Sequence, residues 1–497
     1  MNKYIFLASV FAILFSITSY TQNSFEISFS TPDDEQICAS ATDHSGNTIL
    51  VGRKGSMEEL FFNALLIKVF PDGSYISRQF DSPDIYTDFS SVNILDNGNY
   101  FITGCYGENS FLPSCDNFWI LILNNSLEVM VEKTFQIPEG YQALATERVS
   151  LFDNAGNIAL VSLIKRQEGK RLVSDYLMIK FNQQGDTLLT HYYTSYPSSR
   201  TNSLSRIPDT DSLMLIGGGS LMNGFESLTF MDSELNKVYD IELNSDGYSW
   251  YNPDLWFNQN EFLVVSNRIV DDDKSREYLF SAYKMNTSGD ILEEVILDRK
   301  DTLDYLARKK SLAYYNDSTV YIAGFQSYNQ LWTTEPSTAV VYMLDMDMNL
   351  LGRKDLGGDA YYDVWGAEAT IDGGCLVYGT RYTNIGFYEK DIHIWKLLRE
   401  DFELITKLTD QPVAVLDSKV WPNPANDVLH ISLEGLQTGS DFRLRIYNIA
   451  GQKYFDKAFK AAAAAVQCHI EVLPAGTYVY ELQTFAGQVG SGKFIKQ

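Results

Sequence analysis

Cysteine, histidine and positive charge are scarce in this sequence, and each shortage removes a class of function. Five cysteines (Cys38, Cys105, Cys115, Cys375 and Cys468) are too few for a fold stapled by disulfides. Cys105 and Cys115 form the best pair, because they can face each other across one hairpin loop; two free thiols are the alternative. The odd count leaves at least one thiol unpaired within the chain. The five histidines (His44, His191, His393, His430 and His469) show no metal-ligand spacing. There is no Gly-x-Ser-x-Gly elbow, no His-Glu-x-x-His and no phosphate-binding loop, since Gly217-Gly218-Gly219-Ser220 opens no helix. No catalytic residue, metal or cofactor is therefore assigned. Lys and Arg number 39 against 64 Asp and Glu, a formal net charge of −25. Nucleic-acid binding needs a basic face, so this balance argues against it and favours solubility.

Long apolar runs are equally rare. Lys3 followed by the apolar stretch Tyr4–Phe15 has the form of a signal peptide over residues 1–21, too short to span a bilayer. Cys38 is too far from that stretch for a lipoprotein anchor, and no other segment is long enough to cross a membrane. Helix-period stripes are nearly absent as well; Thr302–Ala313 is the one segment that suggests a helix.

What fills the chain is repetition. A unit recurs about seven times between residues 36 and 408, at a spacing of roughly 50 to 60 residues. Each unit holds a strand, a polar turn, an apolar strand often ending in Gly, a longer loop, a third strand, a second polar turn and a fourth strand. First turns include Asp43-His44-Ser45-Gly46-Asn47, Asp96-Asn97-Gly98-Asn99 and Asp153-Asn154-Ala155-Gly156-Asn157. The strands that follow include Ile49-Leu50-Val51-Gly52, Phe101-Ile102-Thr103-Gly104 and Tyr321-Ile322-Ala323-Gly324. One small sheet cannot bury both faces alone, whereas several stacked around an axis bury them against each other. The expectation is an all-β chain with a seven-bladed β-propeller over residues 22–408; six or eight blades are the alternatives. Phe25–Phe29 either completes the last blade and closes the ring or stands as a simple edge strand. The units resemble the degenerate propeller repeats of secreted Bacteroidota proteins, without the Trp-Asp dipeptide or the sialidase box of two larger propeller families.

Residues 409–419 lack the repeat's turn motif and read as a linker. Beyond them, Trp421-Pro422-Asn423-Pro424 precedes the alternating Val428–Leu433. Ile446-Tyr447-Asn448-Ile449-Ala450-Gly451-Gln452 and Leu473-Pro474-Ala475-Gly476-Thr477-Tyr478 follow in order, with Gly451 and Gly476 placed where tight turns need φ > 0. Residues 420–497 thus resemble the type A C-terminal sorting domain of the type IX secretion system, expected as a small Ig-like β-sandwich. The resemblance implies export across the outer membrane, with the secretion machinery as a partner and a secreted or cell-surface destination.

Binding belongs on long loops carried by a rigid scaffold. The loops after second strands carry Phe61, Phe62, Phe111, Tyr328, Trp332, Tyr382, Phe387 and Tyr388. Aromatic faces beside amides and carboxylates suit sugar rings or a protein partner. Phe111, Tyr328, Trp332, Phe387 and Tyr388 are the ligand-binding candidates, with Trp332 foremost; packing of the loops onto the sheets is the competing role. A second aromatic series (Tyr86, Tyr141, Tyr196, Trp250 with Tyr251, Tyr305, Tyr361 with Tyr362) recurs with the repeat and reads as architecture. The functional expectation is an extracellular propeller that binds a glycan or a protein. A propeller enzyme acting on polysaccharide and a structural surface component are the alternatives.

Overall fold

The computed structural model describes residues 23–404 and 418–497, apart from 57–60, 81–84, 109–113, 116, 170, 195–199, 219–225, 244–247, 273–274, 298–303, 316–317, 327–335, 383–389, 433–440, 450–451, 461–464 and 485–488. The chain divides into two compact units, Met1–Ile405 and Thr406–Gln497. The signal-peptide segment and most of the linker lie outside the described residues.

The first unit is all-β and, among the described residues, holds seven antiparallel sheets. In chain order they begin with the strands Asp34–Thr42, Ile85–Ile94, Tyr141–Phe152, Arg200–Arg206, Tyr248–Asn258, Asp304–Leu306 and Tyr361–Ala369. Their second strands are Thr48–Ser56, Tyr100–Glu108, Ile158–Glu168, Leu213–Gly218, Glu261–Asp272, Thr319–Gln326 and Cys375–Tyr382. First strands lie against the first strands of the neighbouring sheets, the seventh against the first; in the sixth sheet Leu312–Tyr315, which lies beside Asp304–Leu306, makes these contacts. Seven apolar clusters each join two consecutive sheets, and one of them (Ile37, Leu50 and Ile67 with Trp365, Tyr378 and Ile394) joins the seventh sheet to the first. Each sheet therefore buries both faces on its neighbours, which a lone sheet cannot do. Outer strands such as Val129–Gln136 alternate exposed and half-buried residues.

Phe25–Phe29 pairs antiparallel with Asp391–Leu397, so the start of the unit supplies the outer strand of the seventh sheet. Its residues Phe25, Ile27 and Phe29 pack on the cluster that joins the seventh and first sheets. His393 holds this strand through both ring nitrogens, with Nδ1 2.8 Å from the Ser28 hydroxyl and Nε2 2.8 Å from Glu26 Oε1. The sixth sheet gains an outer strand from Glu403–Leu404, which pairs with Leu350–Gly357.

The Gly that follows the apolar run of many second strands lies inside the strand rather than at its end, and it has a steric cause. The first strands bulge opposite it, and a Cβ on Gly52 or Gly104 would meet the carbonyl oxygen of Gln36 or Asp88 at 1.9 or 2.0 Å.

Three local readings are corrected. Thr302–Ala313 forms no helix in its described part: Asp304–Leu306 and Leu312–Tyr315 both pair with Thr319–Gln326, because Leu306 and Leu312 bury between sheets. Phe61 and Phe62 belong to the strand Phe61–Val69 rather than to a loop, and Tyr382 ends a strand; Phe62 and Tyr382 are buried. Gly476 opens the strand Gly476–Thr484 without a positive φ.

The second unit places the sheet Val420–Trp421, Val428–Ser432, Ala465–His469 over the sheet Lys453–Lys460, Asp441–Asn448, Gly476–Thr484, Val489–Lys496. One core joins them, including Leu429, Ile431, Leu444, Ile446, Tyr480 and Phe494. The Pro-Asn-Pro segment docks on the last strand: Ile495 N donates to Asn423 Oδ1 (2.9 Å) and Ala425 N donates to Ile495 O (2.7 Å). No helix among the described residues is long and apolar enough to cross a membrane.

Candidate functional site

The strands of each sheet are antiparallel, so the loops after second strands and the turns after first strands lie at opposite ends. Trp332, Tyr328, Phe387, Tyr388 and Phe111 all lie outside the described residues. What the described residues show at the loop end is a polar floor.

That floor is a buried hydrogen-bonded chain across the first three sheets. Arg53 Nε donates to Gln36 Oε1 (2.9 Å) and Arg53 Nη1 to the Tyr86 hydroxyl (2.8 Å). The Tyr86 hydroxyl donates to Asp88 Oδ2 (2.9 Å), Arg148 Nη2 to Asp88 Oδ1 (2.6 Å), and Arg148 Nε to Ser90 Oγ (2.7 Å). The polar groups that these inner strands bury here satisfy one another. Burial pushes the Tyr86 hydroxyl far above the usual phenol range, with Asp88 adding to the effect. Tyr86, Tyr361 and Tyr362 are buried members of the recurring aromatic series, which is the architectural role expected for them.

Glu35 is fully buried at the same end. Its Oε1 accepts from the Thr31 hydroxyl, and its Oε2 has no hydrogen-bond partner among the described residues. Its backbone N donates to Lys390 O (2.8 Å), which ties the first sheet to the seventh. Burial pushes the Glu35 carboxyl up to about 8, against smaller opposing effects of Thr31 and Lys54. The folded protein thus holds a proton near neutral pH that the unfolded chain releases near 4.5. Stability conferred by this group is full below about pH 4.5 and is lost as the pH rises towards 8, by up to about 1.4 kcal/mol per pH unit. Glu35→Gln is expected to flatten that part of the stability profile, measured as urea midpoints from pH 5 to 8. Parallel profiles for the two proteins would show that Glu35 is ionised throughout.

Cys38, Cys375 and Cys468 are free and buried, and burial pushes Cys38 and Cys468 up to about 11. Cys105 is disulfide-bonded. The side chain of Cys115, the one remaining cysteine, lies outside the described residues, although its backbone pairs with Ala143. Among the described residues no group of three or more His, Cys, Asp and Glu is placed to hold a metal ion.

The turn end carries a feature that the sequence reading missed. A lysine near the end of the third strand pairs with an acid in the first turn, or at the start of the second strand, of its own sheet in sheets one, three, five and seven: Lys68–Asp43, Lys180–Asp153, Lys284–Glu261 and Lys396–Asp372. In the even sheets the lysine's place is taken by Ile122, Phe230 and Met343, all buried. Leu95 and Ile207 occupy, in the second and fourth sheets, the turn position that Asp43 and Asp153 hold in the first and third. The swap is coupled because either member of an ion pair left alone in a buried site is costly. Lys68 and Lys180 also reach the next sheet, donating to Asn125 O (3.0 Å) and Ser233 O (2.7 Å). Between the third and fourth sheets this end opens into a pocket of ≈ 360 Å³.

The first unit is an all-β array with a propeller-like fold. Residues 419–497 match the family model for a secretion system C-terminal sorting domain, and the second unit belongs to that family. No curated protein matches the chain. Among solved structures, a fungal alcohol oxidase of the AA5 family in complex with copper is similar at 9% identity and a TM-score of 0.45, covering 96% of this chain and 100% of its own. A protein of unknown function from Dyadobacter fermentans aligns at 9% identity and 0.45, over 75% and 98% of the two chains. An acylaminoacyl peptidase from Pyrococcus horikoshii aligns at 9% and 0.41, over 82% and 57%. Likeness of this degree transfers no activity. The sorting domain places the protein in the secreted or outer cell-surface fraction, exported by the type IX system.

Proposed function

We propose that the first unit is a seven-bladed β-propeller that binds an extracellular glycan or protein through its long loops, and that the second unit is an Ig-like sandwich carrying it out of the cell. The observation that supports the propeller reading most is the cyclic order of the sheets: consecutive clusters join each sheet to the next and the seventh to the first. A closed ring of this kind is a rigid platform, and loops on a rigid platform suit recognition. The reading assigns no catalytic step to the protein.

The test is a glycan array with a polysaccharide pull-down, using the exported protein beside Trp332→Ala. The expected result is binding that falls at least about tenfold in the variant, as removal of a stacking aromatic from a sugar site does. Absence of binding to every glycan would move the assignment to a protein partner. Binding unchanged in Trp332→Ala would remove Trp332 from the site.

A further inference from the structure

The pocket between the third and fourth sheets is lined by Asp153, Asn157, Lys180, Leu188, Asp211 and Glu234, among others. Its meaning comes from comparison with the equivalent seam between the first and second sheets. There, Lys68 Nζ donates to Asn125 O (3.0 Å) and to the Tyr100 hydroxyl (2.9 Å). That hydroxyl also lies 3.0 Å from Asp43 Oδ2 and 2.5 Å from Asn125 Oδ1. A phenol hydroxyl from the next sheet thus plugs a cradle made of a lysine, an aspartate and a turn carbonyl.

The third sheet holds the same cradle residues drawn closer together: Lys180 touches Asp153 directly, where Lys68 and Asp43 stand 4.0 Å apart with the Tyr100 hydroxyl bonded to both. Lys180 Nζ pairs with Asp153 and donates to Ser233 O at 2.7 Å. Asp153 Oδ1 is occupied by the amides of Ala155 (2.9 Å) and Asn157 (2.8 Å), which fixes the carboxylate as the corresponding turn amides fix Asp43. The plug is missing. Tyr100 pairs with Leu123 in the second sheet, and the residue at that register position in the fourth sheet is Leu213, paired with Met231. Leucine is shorter and has no hydroxyl. An ammonium group has three donors, and the one that Lys68 gives to Tyr100 meets no hydroxyl at Lys180 among the described residues.

We infer that this pocket binds a small neutral polyhydroxylated ligand, a single sugar unit by its chemistry, with one hydroxyl in the position that Tyr100 fills at the sister seam. That hydroxyl accepts from Lys180 Nζ and donates to the Asp153 carboxylate. Asp211 and Glu234 are exposed on the rim and accept from further hydroxyls. Leu188, half exposed, offers an apolar wall to the C–H face of a ring. The site goes beyond the proposed loop-end recognition and lies at the opposite end of the sheets, so either can fail without the other.

Saturation-transfer NMR on the full-length protein with glucose, galactose, mannose and N-acetylglucosamine tests it. At least one sugar is expected to bind. Leu213→Tyr, which restores the plug, is expected to weaken it about tenfold or more, and Glu234→Ala to weaken it severalfold. Glu234 is exposed, so its variant decides the matter if Leu213→Tyr does not fold. No binding of any of the four sugars would overturn the inference, as would binding that a folded Leu213→Tyr, or Glu234→Ala, leaves intact.

Discussion

Removal of residues 420–497 is expected to stop export and leave the first unit folded in the periplasm of a bacterium carrying a type IX system. Every strand that completes the seven sheets, including Phe25–Phe29 on the seventh and Glu403–Leu404 on the sixth, comes from the first unit. The second unit has its own two sheets and its own core. Truncation therefore removes the part that matches the sorting family and spares the apolar clusters between the seven sheets. The extracellular fraction, measured by immunoblot of medium and cell surface against periplasm, is expected to fall to background. Ile446→Asp, which places a carboxylate in the second unit's core, is expected to have the same effect without shortening the chain, because burying an unpaired charge there unfolds the domain. Normal export of both variants would contradict the assignment of the sorting function to this unit.

Arg148→Met is expected to destabilise the first unit by about 3–5 kcal/mol. Arg148 and Asp88 are the most deeply buried ion pair described, with side chains 0% and 1% exposed and Nη2 2.6 Å from Oδ1. The pair joins the first strands of the second and third sheets. Removing the guanidinium leaves the Asp88 carboxylate in the interior with the Tyr86 hydroxyl on its other oxygen. It also strips Ser90 Oγ of its donor. Adding Asp88→Asn is expected to recover a large part of the loss, because the remaining group is then neutral. Urea unfolding of the single and double variants measures both effects. A loss below about 1 kcal/mol in Arg148→Met would mean that water or another cation reaches Asp88.

Much of the architecture was legible because its determinants are local. In Asp43-His44-Ser45-Gly46-Asn47 the aspartate side chain takes the amides of Ser45 and Asn47, each at 2.9 Å, so the residue types at those spacings make the turn themselves. The repeat's spacing and alternation placed the second strands well. Segments governed by distant neighbours were harder to read. Thr302–Ala313 carries a helix-like spacing, yet its described residues form two short strands joined through a bend at Arg308 and Lys309, both on the inner edge of a sheet. Phe62 looked like a loop aromatic, but it packs under the Arg53 guanidinium, 4.5 Å from its ring centroid. The alternating lysines are visible in the sequence at positions 68, 180, 284 and 396, but their partners are set by sheet register.

The amino-acid sequence alone determined that the chain is all-β and repetitive, where its turns fall, and that residues 420–497 carry a sorting domain. These follow from hydrogen bonds between near neighbours, from alternation along single strands and from motifs in a fixed order. Only the tertiary structure decided that Phe25–Phe29 pairs with Asp391–Leu397, that Glu35 keeps its proton near neutral pH, and that Tyr100 bonds to Lys68 and Asp43 at one seam while Leu213 stands at the matching register position of the other. Each of these depends on which distant residues desolvate or contact a group, and that depends on how the sheets pack.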